Sequence, residues 1–232
     1  MKLKHRHSWT LTPKQAIKLQ KDLTGEIEYG LKDVCPLNIK DVKYVAGADV
    51  SYSKKTDTCY GVVVLFSFPE LQVIEEQITV KKSTYPYVPG LLTFREAGTL
   101  IESFARLETE PELLVFDGQG VAHPRRMGLA AHMGYLYEKP SIGCAKSRYI
   151  GEYKEPRQKA GSWRLVKDEG ETIGIVLRSR DGCKPVFISA GHKMDLAWAT
   201  KFIKRCLGDY RQPPITRIPH LVSNRVRKEY ES

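Results

Sequence analysis

The chain has 232 residues, 41% of them hydrophobic, with 37 Lys plus Arg against 27 Asp plus Glu and hence a formal charge of +10. That length suits a single domain burying roughly 70% of its unfolded surface without disulfide staples. The charge favours a polyanionic partner such as nucleic acid, although a basic protein with an ordinary solvated face carries the same excess. The longest apolar runs, Val62–Phe66 and Ile173–Leu177, are strand-sized and far from the roughly 18 residues of a membrane helix, so disorder, collagen-like order and a membrane span are excluded.

The basic start Met1–His7 is followed by no apolar signal core, and residues 1–11 and 224–232 are expected to be flexible termini. Thr12-Pro13 is a helix start, and Ala16, Leu19, Leu23 and Ile27 recur at helical spacing, which predicts a helix over about Pro13–Glu28. Val42–Val50, Tyr60–Phe68 and Leu71–Val80 then read as three strands; their short joins require antiparallel neighbours. A helix over Leu91–Leu107 follows, with Leu92, Leu100, Phe104 and Leu107 as its apolar stripe. A strand at Leu113–Phe116, a helix near Arg126–Glu138 and a strand at Ser141–Ala145 alternate as parallel neighbours do.

Strands at Ser162–Val166, Ile173–Leu177 and Val186–Ser189 and a helix over Asp195–Lys204 complete one α/β domain with a mixed sheet. The segment Pro213–Pro219 holds three prolines and is expected not to form a regular helix. Trp163 and Trp198 read as core residues, with an interface role as the alternative. The cysteines Cys35, Cys59, Cys144, Cys183 and Cys206 form no Cys-x-x-Cys pair. Reduced thiols in the cytoplasm or nucleus are expected, and a zinc ribbon is not.

Three carboxylates stand out. Asp49 lies late in the first strand and Asp117 ends an apolar run before Gly118-Gln-Gly120, where a strand fixes the backbone and glycine admits a ligand. Glu96 lies beside the apolar stripe of the intervening helix. Taken singly, each aspartate is equally a turn cap and Glu96 an ordinary surface residue. Together, three converging carboxylates repel one another unless protons or a cation intervene, and oxygen-rich sites suit Mg²⁺ or Mn²⁺. A basic field would draw in a nucleic-acid backbone, and the acidic cluster would hold the ion that helps cut it.

At these residues the sequence resembles the endonuclease V family of deoxyinosine or inosine 3′ endonucleases. The matching stretches are Val45-Ala-Gly-Ala-Asp-Val-Ser-Tyr52, Tyr85-Pro-Tyr-Val-Pro-Gly-Leu-Leu-Thr-Phe-Arg-Glu96, Leu114-Val-Phe-Asp-Gly-Gln-Gly-Val-Ala-His-Pro-Arg-Arg-Met-Gly128 and Ile142-Gly-Cys-Ala-Lys-Ser147. Weaker matches follow at Pro185–His192 and Ile218–His220, so the resemblance spans about residues 40–222. It implies an α/β, RNase H-like fold with a central mixed β-sheet flanked by helices. It also implies Asp49, Glu96 and Asp117 as ligands of Mg²⁺, with Mn²⁺ as substitute, Lys146 near the reacting phosphate and His220 near the metal. The implied reaction is hydrolysis of the second phosphodiester bond 3′ to a deaminated base in DNA, with inosine-containing RNA as an alternative substrate. A catalytically weak nucleic-acid-binding protein is the other alternative. A monomer in the cytoplasm, with no membrane partner, is expected.

Pro86 and Pro89 restrict the backbone around Tyr87 and Val88, which lowers the entropy cost of presenting an aromatic wedge. The resemblance implies that this loop, through Gly90, separates strands, and such a wedge replaces stacking lost when a base rotates out. Gly118, Gly120 and Gly143 are expected to admit the base, Leu92 and Leu129 to wall it, and His123 to position it; Gln119, Gly128 and Ser147 join this nucleic-acid-binding set. Arg125 and Arg126 are expected on phosphates, with Arg148, Lys154–Lys159, Arg217, Arg225, Arg227 and Lys228 as a wider track. His192 and Asp195 stay open, Asp195 being equally a helix cap.

Overall fold

In the computed structural model, which describes residues 1–30 and 34–232, an eight-stranded mixed sheet carries helices on both faces. The elements are α1 (Pro13–Thr24), β1 (Tyr44–Ser53), β2 (Thr58–Ser67), β3 (Val73–Lys82), α2 (Leu92–Arg106), β4 (Leu113–Phe116), α3 (Leu129–Tyr137), β5 (Ser141–Ala145), β6 (Trp163–Asp168), β7 (Glu171–Leu177), β8 (Val186–Ala190), α4 (Leu196–Arg205) and α5 (Pro214–Glu231). The strand order is β3-β2-β1-β4-β5-β8-β7-β6. The first three strands are antiparallel, as their short joins require, whereas β1, β4 and β5 run parallel.

Alternation along the strands divides the core. Ala46, Ala48, Val63 and Leu65 face α2 and α3, while Val45, Val62, Val64 and Val115 face α4 and α5. Gly61 lets α2 press onto β2, because a Cβ there would lie 2.7 Å from Cβ of Thr99. Among the described residues, no helix is long and apolar enough to cross a membrane.

Several boundaries depart from the periodicity for local reasons. α1 stops at Thr24 because Gly25 takes the C-cap, and Ile27 packs as loop into the larger core cluster. α3 begins only at Leu129, since Arg126 adopts a left-handed backbone (φ 53°) and Gly128 is the N-cap. Leu92 leaves the predicted stripe and is 42% exposed at the first turn of α2, and Trp163 is exposed on the edge strand β6 instead of in the core. Asp195 caps α4, accepting from the Trp198 N–H at 2.7 Å.

The largest correction concerns Pro213–Pro219. Residues 214–231 form one helix despite Pro219 inside it. Pro213 is the N-cap and Pro214 the first helical residue, where no amide donor is needed. Pro219 does orphan the Ile215 carbonyl, but that carbonyl presses against Gly47 of β1, where any Cβ would overlap it. The termini expected to be flexible are packed. Met1, Leu3 and Trp9 lie on the α2–α3 core cluster, the terminal ammonium donates to the Phe104 carbonyl at 3.0 Å, and residues 224–231 continue α5.

Candidate active site

The site begins with a register fact. β1 pairs with β4 only as far as Ala48↔Phe116, then continues on β2 alone. The next residues on the two parallel strands are Asp49 and Asp117, and the Asp117 N–H closes the ladder on the Ala48 carbonyl at 3.0 Å. Adjacent strand ends therefore place both carboxylates side by side on the face that α5 crosses. Lys146 directly follows β5, the next parallel strand, and sets its ammonium 2.5 Å from Asp117 Oδ2.

α5 adds His220, Ser223 and Asn224 on one face at helical spacing. Ser223 donates to Asp49 Oδ2 at 2.6 Å, and His220 Nδ1 lies 3.2 Å from the same oxygen. Since a carboxylate only accepts, Nδ1 carries the proton and Nε2 takes the Asn224 amide at 3.2 Å. Gln212 donates to Asp117 Oδ2 at 3.2 Å. Asp49, Asp117 and His220 each offer a ligand atom within 4.8 Å of the others. Asp49 Oδ1 and Asp117 Oδ1 accept no hydrogen bond among the described residues.

Glu96, expected among the metal ligands, stands outside that close group of three. It is buried on α2, and burial together with the charges of Asp49 and Asp117 pushes its carboxyl well above the usual range against the pull of Arg95. Asp117 is also raised, by burial and by Asp49, against Lys146. Mutual repulsion of this kind is what a divalent cation relieves, and the unengaged Oδ1 atoms of the two carboxylates are donors that such an ion accepts, with the His220 imidazole hydrogen-bonded beside them.

Asp117 also lines a pocket of about 350 Å³ together with Tyr87, Val88, Pro89, Gly90, Leu92, Gly118, Gln119, His123, Gly128, Leu129, Lys146 and Ser147. That is a volume suited to a small ligand. Tyr87 stands at its rim, 69% exposed, while Tyr85 is tucked beneath with Leu91 and Phe94. Gly90 needs its left-handed φ of 79° to turn the Tyr85–Pro89 loop into α2. Pro86 lies on the loop's other side and lines the neighbouring groove.

Other expected contacts take different roles. Gly120 and Gly143 do not line the pocket: a Cβ on either would collide with backbone, of Ala190 and of the Gly118–Gly120 turn respectively, so they permit close packing beneath it. Arg125 donates to Gln20 Oε1 (2.6 Å) and to the Gly90 carbonyl (2.8 Å), both neutral acceptors, and Arg126 pairs with Asp168 (2.9 Å) and Glu171 (2.7 Å), so both brace loops beside the pocket. His123 donates from Nε2 to Gly90 and accepts the Arg125 N–H; burial and Arg125 push it down to about 4, keeping it neutral. Arg217 lies over the Tyr210 ring, and His192 belongs to a separate cluster with Glu28 and Glu138.

Five contributors escape sequence reading. Gln20, fully buried on α1, donates to the Gly90 and Met127 carbonyls and thereby ties that helix to the pocket. Ser223 and Asn224 carry an i+3, i+4 relation to His220 that is visible only once the segment is helical. Tyr149 and Thr93 complete the pocket wall.

A sheet whose β1, β4 and β5 ends gather two aspartates and a lysine, crossed by a helix carrying histidine, defines a nuclease of RNase H-like fold. The family model described as Endonuclease V matches residues 31–221. The endonuclease V of Petrotoga mobilis is 42% identical over 229 residues, covering 98% of this chain and 100% of its own. The crystal structure of endonuclease V from Streptomyces avermitilis superposes with a TM-score of 0.86 at 35% identity, covering 97% of both chains. The Ciona intestinalis enzyme, solved with a 24mer DNA containing an inosine followed by a ribo-adenosine, gives 0.80 at 26% identity, covering 94% of this chain and 98% of its own. This chain belongs to the endonuclease V family.

Proposed function

We propose that the chain recognises deaminated bases, chiefly deoxyinosine in DNA, and hydrolyses the second phosphodiester bond on the 3′ side, leaving 3′-hydroxyl and 5′-phosphate ends. The observation that carries this reading is the double membership of Asp117, which belongs to the carboxylate pair and also lines the pocket. A base held in that pocket keeps its own strand next to the acids, so reading and cutting are coupled by a single short turn.

Mg²⁺, with Mn²⁺ as substitute, would be held by Asp49 and Asp117, with His220 at its edge and Glu96 behind. When bound, such an ion neutralises phosphate charge and lowers the pKa of the attacking water. The chain's own groups do the rest. Ser223 and Asn224 fix Asp49 and His220, and His220 orients the water. The Lys146 ammonium meets charge developing on the phosphate. Leu92 and Leu129 exclude water from the base, and backbone groups at Gly118 and Gln119 read its carbonyl and ring N–H. Tyr87 fills the vacated stack. We place the protein in the cytoplasm as a monomer, where its five free cysteines stay reduced.

An end-labelled duplex carrying one inosine, incubated with Mg²⁺ and then with EDTA, tests the reading. A single metal-dependent cut at the second 3′ bond is expected. Release of the base, or binding without cleavage, overturns it. The ribo-adenosine beside the inosine in the Ciona complex supports a second reading, an inosine-directed ribonuclease; faster cleavage of matched RNA would establish it.

A further inference from the structure

Arg95 sits between the buried Phe94 and Glu96 on α2, and its side chain is only 7% exposed. Its guanidinium carbon lies 3.4 Å from the centroid of the Tyr52 ring and 5.8 Å from that of Tyr87. The nearest carboxylate, Asp57, is 3.8 Å from Nη2, beyond hydrogen-bond reach, and is engaged by the Tyr52 hydroxyl. Nε is buried with no partner, and no hydrogen bond from the other guanidinium nitrogens exists among the described residues. A buried Nε–H without a partner is costly, and beside Nη nitrogens that make no hydrogen bond among the described residues it calls for an acceptor from outside the chain.

We propose that the groove formed by Tyr52, Lys54, Ser83, Thr84 and Arg95 is a phosphate subsite for the nucleic-acid strand that passes the Tyr87 wedge. The identity of that strand rests on the nuclease reading above. A planar fork stacked on an aromatic ring is preorganised for two phosphate oxygens. Lys54 forms no ion pair among the described residues, and the Thr84 hydroxyl has no hydrogen-bond partner there. The carboxylates facing this groove are Asp57 and Glu96, so a singly charged phosphodiester is better tolerated than a terminal phosphate.

Tyr87 and Leu92 line both this groove and the base pocket and form the ridge between them. A strand that drops one base into the pocket must carry a neighbouring phosphate over that ridge, towards Arg95. The subsite thus places the backbone on the opposite side of the wedge from Lys146, and the two cations clamp the strand around the displaced nucleotide.

Binding of a 20-nucleotide single strand, with and without one inosine, measured in EDTA over a range of KCl, tests this. Arg95→Gln is expected to weaken both strands about tenfold and to lower the salt slope by about 0.7, the share of one phosphate contact on single strands. Arg95→Lys should restore the slope and only part of the affinity, which a merely structural role would not do. A folded Arg95→Gln protein with the wild-type slope overturns the proposal. Should Arg95→Gln fail to fold, single methylphosphonate substitutions decide between wild type and Arg95→Lys. One phosphate next to the inosine whose neutralisation hurts wild type more than Arg95→Lys supports the subsite, and identical maps overturn it. A wild type that ignores inosine sinks the nuclease reading, while the salt slope on the unmodified strand still judges Arg95.

Discussion

Among the described residues, two groups of carboxylates and imidazoles meet the same geometric test, with three ligand atoms within 4.8 Å: Asp49, Asp117 and His220 at the strand ends, and Glu28, Glu138 and His192 behind α3. Their commitments differ. Both oxygens of Glu138 are occupied, one by Lys193 and the other by His5 at 2.7 Å. His192 Nδ1 accepts the Glu28 N–H at 3.3 Å, so its buried Nε2 carries the proton and has no lone pair to give. At the strand ends each aspartate keeps one oxygen unengaged by the chain, and the group opens onto a pocket. Proximity of acids alone therefore does not make a site; free lone pairs and access decide.

The sharpest way to break this contrast is to neutralise one acid in each group. Asp49→Asn or Asp117→Asn is expected to lower single-turnover cleavage of an inosine strand by about 10³-fold or more, because a lost ligand costs more than lost general acid–base help. EDTA should do the same to the unaltered protein. Glu138→Gln should leave the rate within about twofold, since its effect is confined to partly exposed ion pairs. Equal losses in both groups would remove the distinction.

The glycines of the strand-end turn sharpen it next. A Cβ on Gly118 would meet only Leu129 carbon atoms at 3.6 and 3.7 Å, ordinary contact, so the chain itself does not demand glycine there. Gly118→Ala is expected to fold with an unchanged Tm and to lose about tenfold in kcat/KM for inosine, because the methyl enters the pocket. Gly120→Ala should instead lose about 3 kcal/mol in denaturant unfolding, since its methyl overlaps the Ala190 carbonyl. The reverse pattern would place the base elsewhere.

This asymmetry also marks what the sequence could and could not convey. The change of period after Val42 located β1 and the apolar run Leu113–Phe116 located β4, and with them the aspartate late in one strand and the aspartate ending the other, because these signals are local. The glycines at 118, 120 and 143 look alike in sequence and diverge only in what backbone lies behind them. The loop-bracing contacts of Arg125 and Arg126 leave no local trace in sequence because their partners lie on α1, the loop before α2 and the β6–β7 hairpin. The three prolines of 213–219 concealed α5, and with it Ser223 and Asn224, because the glycine that leaves room for the freed Ile215 carbonyl, Gly47, lies some 170 residues earlier in the chain.

The smallest expected effect is on stability against pH in metal-free protein, where the two groups should pull in opposite directions. Burial works against ionised Glu138, but hydrogen bonds from Lys193 and His5 outweigh it and hold the carboxyl at about 2, below its ordinary 4.5. The unfolded chain therefore binds the extra proton between these values, so the Glu138 contribution is full above pH 4.5 and fades as pH falls towards 2. Glu96 has the opposite sign: raised by burial and its acidic neighbours, it is protonated more readily in the folded state, so its ionisation destabilises the fold as pH rises through the raised value. Glu138→Gln should thus lower the unfolding free energy at pH 7 and converge on wild type in acid. Glu96→Gln should raise it at pH 7 and lose that advantage below the ordinary carboxylate range. Urea titrations across this range measure both differences, and a Glu96→Gln protein less stable than wild type at pH 7 would mean that the buried carboxylate is held by favourable contacts instead of tolerated for its chemistry.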